Sequence, residues 1–323
     1  MSQILRWGIL STANIGRARV IPAINQSRNG TVVAVASRDH DRAAQFADEM
    51  SIPTAYGSYE ELLEDPDIDA IYNPLPNSMH AEWAIKAAEA GKPMLCEKPL
   101  ALNADEAQRM VDAFKERNLT FAEGFMYRFH PQTQRVKQAV DSGEIGELHT
   151  INAHFSFTVR DAGNIRLSAG LGGGSLMDVG CYCINVTRFM TGQEPIDVRG
   201  MIYTGRSLVD IRAAGLLRFP DGVLGHFVGS LNSFRTHTYT LVGTKGTITV
   251  PEAFVPAPGA STSFSMQTAD GYDEYTVERA DHYELMVEDF ADAVILDRPP
   301  MFPPEDAVAN MRVIDQFKAV ATR

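Results

Sequence analysis

Two rhythms of apolar and polar residues divide the chain. Up to about residue 124, short unbroken apolar runs alternate with longer stretches whose apolar positions recur at helical spacing. Runs of the first kind suit strands buried on both faces of a parallel sheet, and the second kind suits helices laid over it. Strands are predicted at Leu5–Leu10, Thr31–Ala36, Ala70–Tyr72, the run Met94-Leu95-Cys96 and Thr120–Gly124. Helices are predicted at Arg17–Ile24, Asp41–Met50, Tyr59–Leu63, His80–Ala90 and Asn103–Arg117, the last with Asn103 as cap and Glu106 three residues on. This alternation describes a doubly wound α/β domain over residues 1–124.

After Phe125 the rhythm changes. A helix over Gln132–Ser142 leads to a strand near Leu148–Phe157, and period-two alternation recurs at Ile211–Phe219, Val223–Leu231, Tyr239–Val242 and Thr247–Val250. Turns at Pro220-Asp221-Gly222 and Gly243-Thr244-Lys245-Gly246 join some of these as hairpins. The loop at 256–259 and helices at His282–Leu296 and Pro304–Ala321 complete an α+β domain over 125–323, built on a large, mostly antiparallel open sheet. Strand Val223–Val228 carries bulky residues at both parities, so one sheet face is expected to pair with a second copy, as a homodimer or homotetramer, unless the terminal helices cover it.

Composition narrows the function. A hydrophobic share of 45% with 22% charged residues fits an ordinary soluble globular protein with ample core, and a net charge of −12 argues against nucleic acid or an anionic membrane as partner. No apolar run reaches the length that spans a bilayer. The N-terminus enters a strand without a basic segment and apolar core of the export type, and Cys96, Cys181 and Cys183 lack metal-site spacing. A cytoplasmic protein with free thiols and no metal is expected.

Candidate chemistry lies at the strand ends. In the turn from Gly8 to Gly16, Ser11 and Ala13 take the first two glycine positions of a G-x-G-x-x-G template. Small residues there, with Thr12, Asn14 and Ile15, still let backbone approach a pyrophosphate at a helix N-terminus, and Gly16 permits close helix–strand packing. Ser37 and Arg38 end the second strand where an NAD site places an acid, so a 2′-phosphate and hence NADP is favoured. Asn73-Pro74-Leu75-Pro76-Asn77 is forced extended and precedes His80, a candidate for the cofactor ribose; Glu97-Lys98-Pro99 ends the next strand. Farther on, Gly172-Gly173-Gly174 leads to Asp178 and Tyr182, four apart on one helical face. Taken singly, these segments leave open a tight turn without ligand, an exposed Arg38–Asp39 pair and a merely buried tyrosine.

Together they resemble the glucose-fructose oxidoreductase / inositol dehydrogenase family of nicotinamide-dependent sugar oxidoreductases, over nearly the whole chain. The residues that carry the likeness are the Gly8–Gly16 turn, Asn73 to Asn77 with His80, Glu97-Lys98-Pro99, and Gly173-Gly174 through Asp178-Val179-Gly180-Cys181-Tyr182. Tyr182, where inositol dehydrogenases carry histidine, is similar to the branch of glucose-fructose oxidoreductase, dihydrodiol dehydrogenase and NADP-dependent xylose dehydrogenase. The resemblance implies a Rossmann dinucleotide-binding domain, NADP as cofactor and a sugar or polyol substrate. It implies that Lys98, Tyr182 and Asp178 face the nicotinamide, Tyr182 as proton acceptor and Lys98 as the charge that favours its phenolate. Arg128, Asn164, Arg166 and Asn185 are then candidates for the polar rim of the sugar pocket, and Phe155 and Phe157 for its apolar wall. An NADPH-dependent reductase of a keto-sugar or dicarbonyl and a non-catalytic NADP-sensing regulator are the alternatives.

Overall fold

The computed structural model describes residues 4–257 and 259–322; the first three residues of the N-terminal segment and one proline of the 256–259 loop lie outside the described residues. The first unit comprises Met1–Met126 and His282–Val308. Its strands are β1 (Leu5–Leu10), β2 (Gly30–Ala36), β3 (Thr54–Tyr56), β4 (Ala70–Asn73), β5 (Met94–Cys96) and β6 (Phe121–Glu123). They form a parallel sheet in the order β3-β2-β1-β4-β5-β6. Trp7, Ile9 and Leu10 of β1 and all of β4 are buried, as strands sandwiched between helices must be. Strand order reverses at β1 and β4, which opens the crevice beyond their carboxyl ends where such sheets bind ligands.

The helices of this unit are α1 (Ile21–Gln26), α2 (His40–Met50), α3 (Tyr59–Glu64), α4 (His80–Glu89) and α5 (Ala104–Lys115). Asp39, Ser58 and Asn103 cap α2, α3 and α5 through their side chains. Glu106 completes the α5 cap on Leu102 N (3.2 Å), one residue upstream of the capping-box partner. The helix predicted from Arg17 is not regular: Gly16–Val20 make a wide π turn before α1. Pro22 explains it, since an α-helical path would drive its ring against the Ala18 carbonyl.

Helix α6 (Pro131–Asp141) opens the second unit, Tyr127–Asp281 with Ala309–Arg323. Its strands are β7 (Leu148–Thr158), β8 (Asp197–Thr204), β9 (Asp210–Arg218), β10 (Leu224–Ser230), β11 (Asn232–Gly243), β12 (Gly246–Val250), β13 (Thr262–Thr268) and β14 (Gly271–Val277), with α7 (Cys181–Thr191) between β7 and β8. The sheet runs β14-β13-β12-β11-β7-β10-β9-β8, antiparallel throughout except for β7 with β10. Ile151, Phe155, Phe227, Tyr239, Leu241 and Ile248 fill its inner face.

Two helices close the chain, α8 (His282–Ile295) and α9 (Pro304–Val320). The expected second domain of 125–323 therefore divides differently: α8 belongs with the first unit, where Phe290 packs on Trp7 (5.1 Å) and Glu288 O accepts from Asn29 Nδ2 (2.9 Å). Later in the chain, Phe317 of α9 lies on Phe227 (5.2 Å) and over Gly200 and Gly215, where an added Cβ would strike its ring. Among the described residues no helix is long and apolar enough to cross a membrane.

Candidate active site

The βα turn after β1 is held by Ser11 N donating to Ala36 O (2.9 Å), and Ser11 takes a left-handed φ of 81°. That conformation favours glycine, the residue the template expects at this position. Ser11 Oγ is buried without a partner among the described residues. Asn73, at the end of β4, uses Oδ1 on Leu75 N (3.2 Å) and likewise leaves Nδ2 buried and unpartnered. Two orphaned polar atoms at the carboxyl ends of adjacent strands in a sheet crevice are what a dinucleotide would satisfy, so the residues present fit such a group.

Gly8 does not stand in the turn; a Cβ there would meet Leu62 and Ile68 at 2.9–3.0 Å, so its glycine serves core packing. Gly16 is not forced by packing, because an added Cβ would find only ordinary contacts from 3.6 Å. The carbonyl of Ala13 accepts from Arg17 N (3.2 Å), while Asn14 and Ile15 form the first helical residues. Beside Ser37, which is buried, Arg38 is exposed and next to Tyr59, whose phenol burial pushes up. Asp39 caps α2 through Arg42 N (3.2 Å). Arg42, which the motif reading missed, donates from Nε to Thr12 Oγ1 (2.9 Å) and sets a second cation on the turn.

The segment 97–100 is tied down from several sides. Glu97 N donates to Asn73 O (3.0 Å), and its Oε1 accepts from the buried Tyr72 hydroxyl (2.7 Å). Leu100 N donates to Glu123 Oε1 (2.8 Å). His80 is fully buried, with Nδ1 on the carbonyls of Pro99 (3.1 Å) and Leu100 (3.2 Å) and Nε2 on that of Leu75 (2.8 Å). Burial holds its pKa below the usual imidazole range. Fully buried among these carbonyls, of which a neutral ring can donate to only one side, His80 sits between the Pro74-Leu75 segment and the Lys98-Pro99 loop and has no face open to a ribose. Half-buried Lys98 emerges from this braced loop. Tyr72 and Glu123 carry no motif signal; only strand pairing brings them to the loop.

In the second unit, Gly172 and Gly174 adopt positive φ (76° and 116°), and Gly173 passes so close to Arg166 O that a Cβ would sit 2.4 Å away. A π turn, Leu176–Gly180, then runs into α7. Asp178 Oδ2 accepts from Arg166 Nε (2.7 Å), and the guanidinium stands 5.7 Å from the Phe157 ring centre. Asn164 caps the short turn through Arg166 N (3.1 Å), a structural task within that cluster. Tyr182, 4% exposed, lies among Phe155 (5.3 Å, edge-on), Phe254 (5.5 Å) and Tyr127 (5.9 Å). Asn185 is buried and accepts the Tyr127 hydroxyl on Oδ1 (2.7 Å), leaving Nδ2 buried without a partner. Arg128 is buried as well (3% exposed). Phe254, Tyr127 and His237 join the aromatic wall although no spacing pointed to them; His237 is 5.8 Å from Phe155, and burial lowers its pKa to about 4.

Known proteins share this architecture. Residues 5–125 match the model of the oxidoreductase family with NAD-binding Rossmann fold, and residues 133–249 match the GFO/IDH/MocA C-terminal domain. The D-xylose 1-dehydrogenase (NADP(+)) 2 of Haloferax volcanii is 40% identical over 96% of this chain and 95% of its own. The trans-1,2-dihydrobenzene-1,2-diol dehydrogenase of Bos taurus is 35% identical over 75% of this chain and 72% of its own. A 3-ketoreductase from Actinomadura kijaniata, solved with NADP and TDP-benzene, superposes with a TM-score of 0.93 at 30% identity, covering 99% of this chain and 98% of that one. The parallel sheet with its ligand crevice, the braced Glu97-Lys98-Pro99 loop and the Asp178–Tyr182 helix are thus parts of one oxidoreductase architecture, and the chain belongs to the GFO/IDH/MocA family.

Proposed function

We propose that the protein is an NADP-dependent dehydrogenase of a sugar, oxidising an aldose such as xylose or glucose at C1, or a related polyol or dihydrodiol. The observations that carry this reading are a braced lysine loop at the end of β5 and, within the second unit, a tyrosine held in an aromatic wall. The likeness to a xylose dehydrogenase over almost the full length of both chains supports the substrate class.

Ser11, Thr12, Ala13, Asn14 and Ile15 would hold the pyrophosphate, and Ser37, Arg38 and Arg42 the 2′-phosphate of NADP. Asn73, Pro74, Leu75, Asn77 and Glu97 would line the rest of its site. Bound NADP would supply the hydride acceptor. Tyr182 takes the proton that leaves the substrate hydroxyl, and in the reverse direction returns it. A free phenol titrates at about 10, too high for a good base at neutral pH, so the Lys98 ammonium supplies the charge that favours phenolate. Asp178, fixed by Arg166, orients a sugar hydroxyl, and Phe155 and Phe157 give the ring an apolar wall. Replacing Tyr182 by Phe keeps the packing and lowers turnover by about 10²–10⁴. Lys98→Met does similar damage, and the double variant is little worse than either, as for groups that act as one unit. Near-parent turnover in Tyr182→Phe, measured with NADP and a panel of aldoses, polyols and dihydrodiols, overturns the assignment.

Cofactor choice has its own test. Arg38→Ala weakens NADP by about 1.5–3 kcal/mol for each charge-assisted bond lost and leaves NAD unchanged. Equal loss for both cofactors in a binding titration rejects Arg38 as the phosphate clamp.

A second reading, reduction of a keto-sugar with NADPH, is favoured by the likeness to the 3-ketoreductase; initial rates in both directions separate the two. We further propose a cytoplasmic homodimer or homotetramer, assembled through the second unit's sheet. The three thiols are free and buried, which suits a reducing compartment.

A further inference from the structure

The loop-to-helix passage that delivers Asp178 and Tyr182 ends on a carboxylate that the proposed chemistry does not use. Asp210, first residue of β9, accepts from Ser175 Oγ (2.7 Å) and Leu176 N (2.6 Å) on the same oxygen, Oδ2. Its other oxygen rests against Gly174, where an added Cβ would fall 2.2 Å from Oδ1. Ser175 is fully buried and makes no cap of its own for the turn that follows. The helix from Leu176 to Thr191 thus has its first free N–H satisfied by a residue more than thirty positions later in sequence, on a strand paired on both sides. The same turn rides directly on β10, where a Cβ on Gly229 would come within 3.2 Å of Gly180 N. Upstream, Gly174 N donates to Arg166 O (2.9 Å), and Gly174 O accepts from Asp178 N (3.0 Å). The backbone that fixes the height and rotation of Asp178 and Tyr182 therefore meets β9 at this polar post.

We infer that Asp210 is a positioning residue: through Ser175 and Leu176 it sets the register of the helix that carries Asp178 and Tyr182. The inference rests on Tyr182 being the proton-transfer group, and acts on turnover through it. Loss of the post lets the 174–182 backbone shift, and a displacement of about 1 Å at a reacting group costs on the order of 10²-fold in rate.

Asp210→Ala should lower kcat by about that factor while KM for NADP stays at the parent value. Asp210→Asn should restore most of the rate, since its amide oxygen can still accept from both donors. Asp210→Ala added to Tyr182→Phe should cost little more than Tyr182→Phe alone. Independently of activity, hydrogen exchange by mass spectrometry should quicken in peptides over 174–183 in Asp210→Ala and not in Asp210→Asn. Parent kcat in Asp210→Ala, an additive loss in the double variant, or unchanged exchange over 174–183 overturns the inference. If Tyr182→Phe itself retains turnover, the catalytic assignment fails and the positioning role falls with it; the exchange result then reports only the anchor.

Discussion

Ser11 shows how a single residue can depart from a motif and still serve it. Its left-handed φ of 81° is the geometry for which glycine is the default, and a side chain there is uncommon. The hydroxyl is buried with no partner among the described residues, which costs stability in the free chain. Removing it should therefore have opposite effects on the free and bound states. Ser11→Ala is expected to raise the melting temperature slightly without cofactor and to weaken NADP by about 0.5–1.5 kcal/mol, one neutral hydrogen bond. Calorimetric melts with and without NADP check both signs; unchanged NADP affinity would show that the hydroxyl does not meet the cofactor. His237 makes a second residue-scale prediction. Burial beside Phe155 and Phe254 lowers its pKa to about 4, and its Nδ1 accepts from Phe254 N (3.4 Å), a bond only the unprotonated nitrogen can take. Below the ordinary histidine value of about 6.5 the unfolded chain binds the proton that the folded one refuses. The stabilisation is thus fully present above that value and is lost as pH falls toward 4. His80 and His130, also lowered by burial, add in the same direction. Melting temperature should fall between pH 7 and pH 5, and fall less in His237→Gln; an equal fall in the variant excludes His237 as a source.

At the scale of elements, what the chain reveals in advance depends on how local the determining contacts are. Strand β1, helix α5 with its Asn103 cap and the terminal helices follow from residues a few positions apart, and each is found within two residues of its predicted bounds. Strands β3, β8, β13 and β14 carry no comparable signal. β3 has three half-buried residues; β13 alternates serines with Phe264 and Met266; β14 is an edge strand of mostly exposed residues. β8 is broken by Gly200, a position that makes sense only once Phe317 arrives from α9. The functional segments divide the same way. Glu97-Lys98-Pro99 and Asp178 with Tyr182 are legible as motifs, yet their supports are not. Tyr72 reaches Glu97 across twenty-five positions, Arg42 reaches Thr12 across thirty, and Asp210 reaches Ser175 across thirty-five. His80 is the instructive reversal: its place before a helix suggested a ligand contact, whereas its ring is fully buried among backbone carbonyls. The division of the chain is equally non-local, because α8 joins the first unit through Trp7 and Asn29, residues at the other end of the sequence.

The whole molecule carries twelve excess negative charges, yet one end of the outer face of its large sheet, over β8–β10, gathers exposed apolar side chains and arginines, with Asp197 among them. Met201 and Tyr203 of β8, Leu216 of β9 and Leu224 of β10 are each more than half exposed, and their cross-strand register places them on one side. Arg199, Arg212 and Arg218 share that side, with the Arg212 guanidinium 4.3 Å from the Tyr203 ring centre. The terminal helix does not cover this face, for Phe317 of α9 packs on Phe227 on the opposite one. An open antiparallel face with this many large side chains is the kind of surface that a second copy buries. Arginine and tyrosine are moreover enriched at interfaces, where lysine and glutamate are depleted. A two-fold operation would set the patch against itself. Sedimentation equilibrium at micromolar concentration should then report a dimer or tetramer. Leu216→Asp should shift it to monomer while the melt of the isolated subunit stays cooperative, because Leu216 is solvent-exposed in the single chain. A parent protein that sediments as a monomer overturns self-association, and a Leu216→Asp variant that remains a dimer moves the interface to another surface.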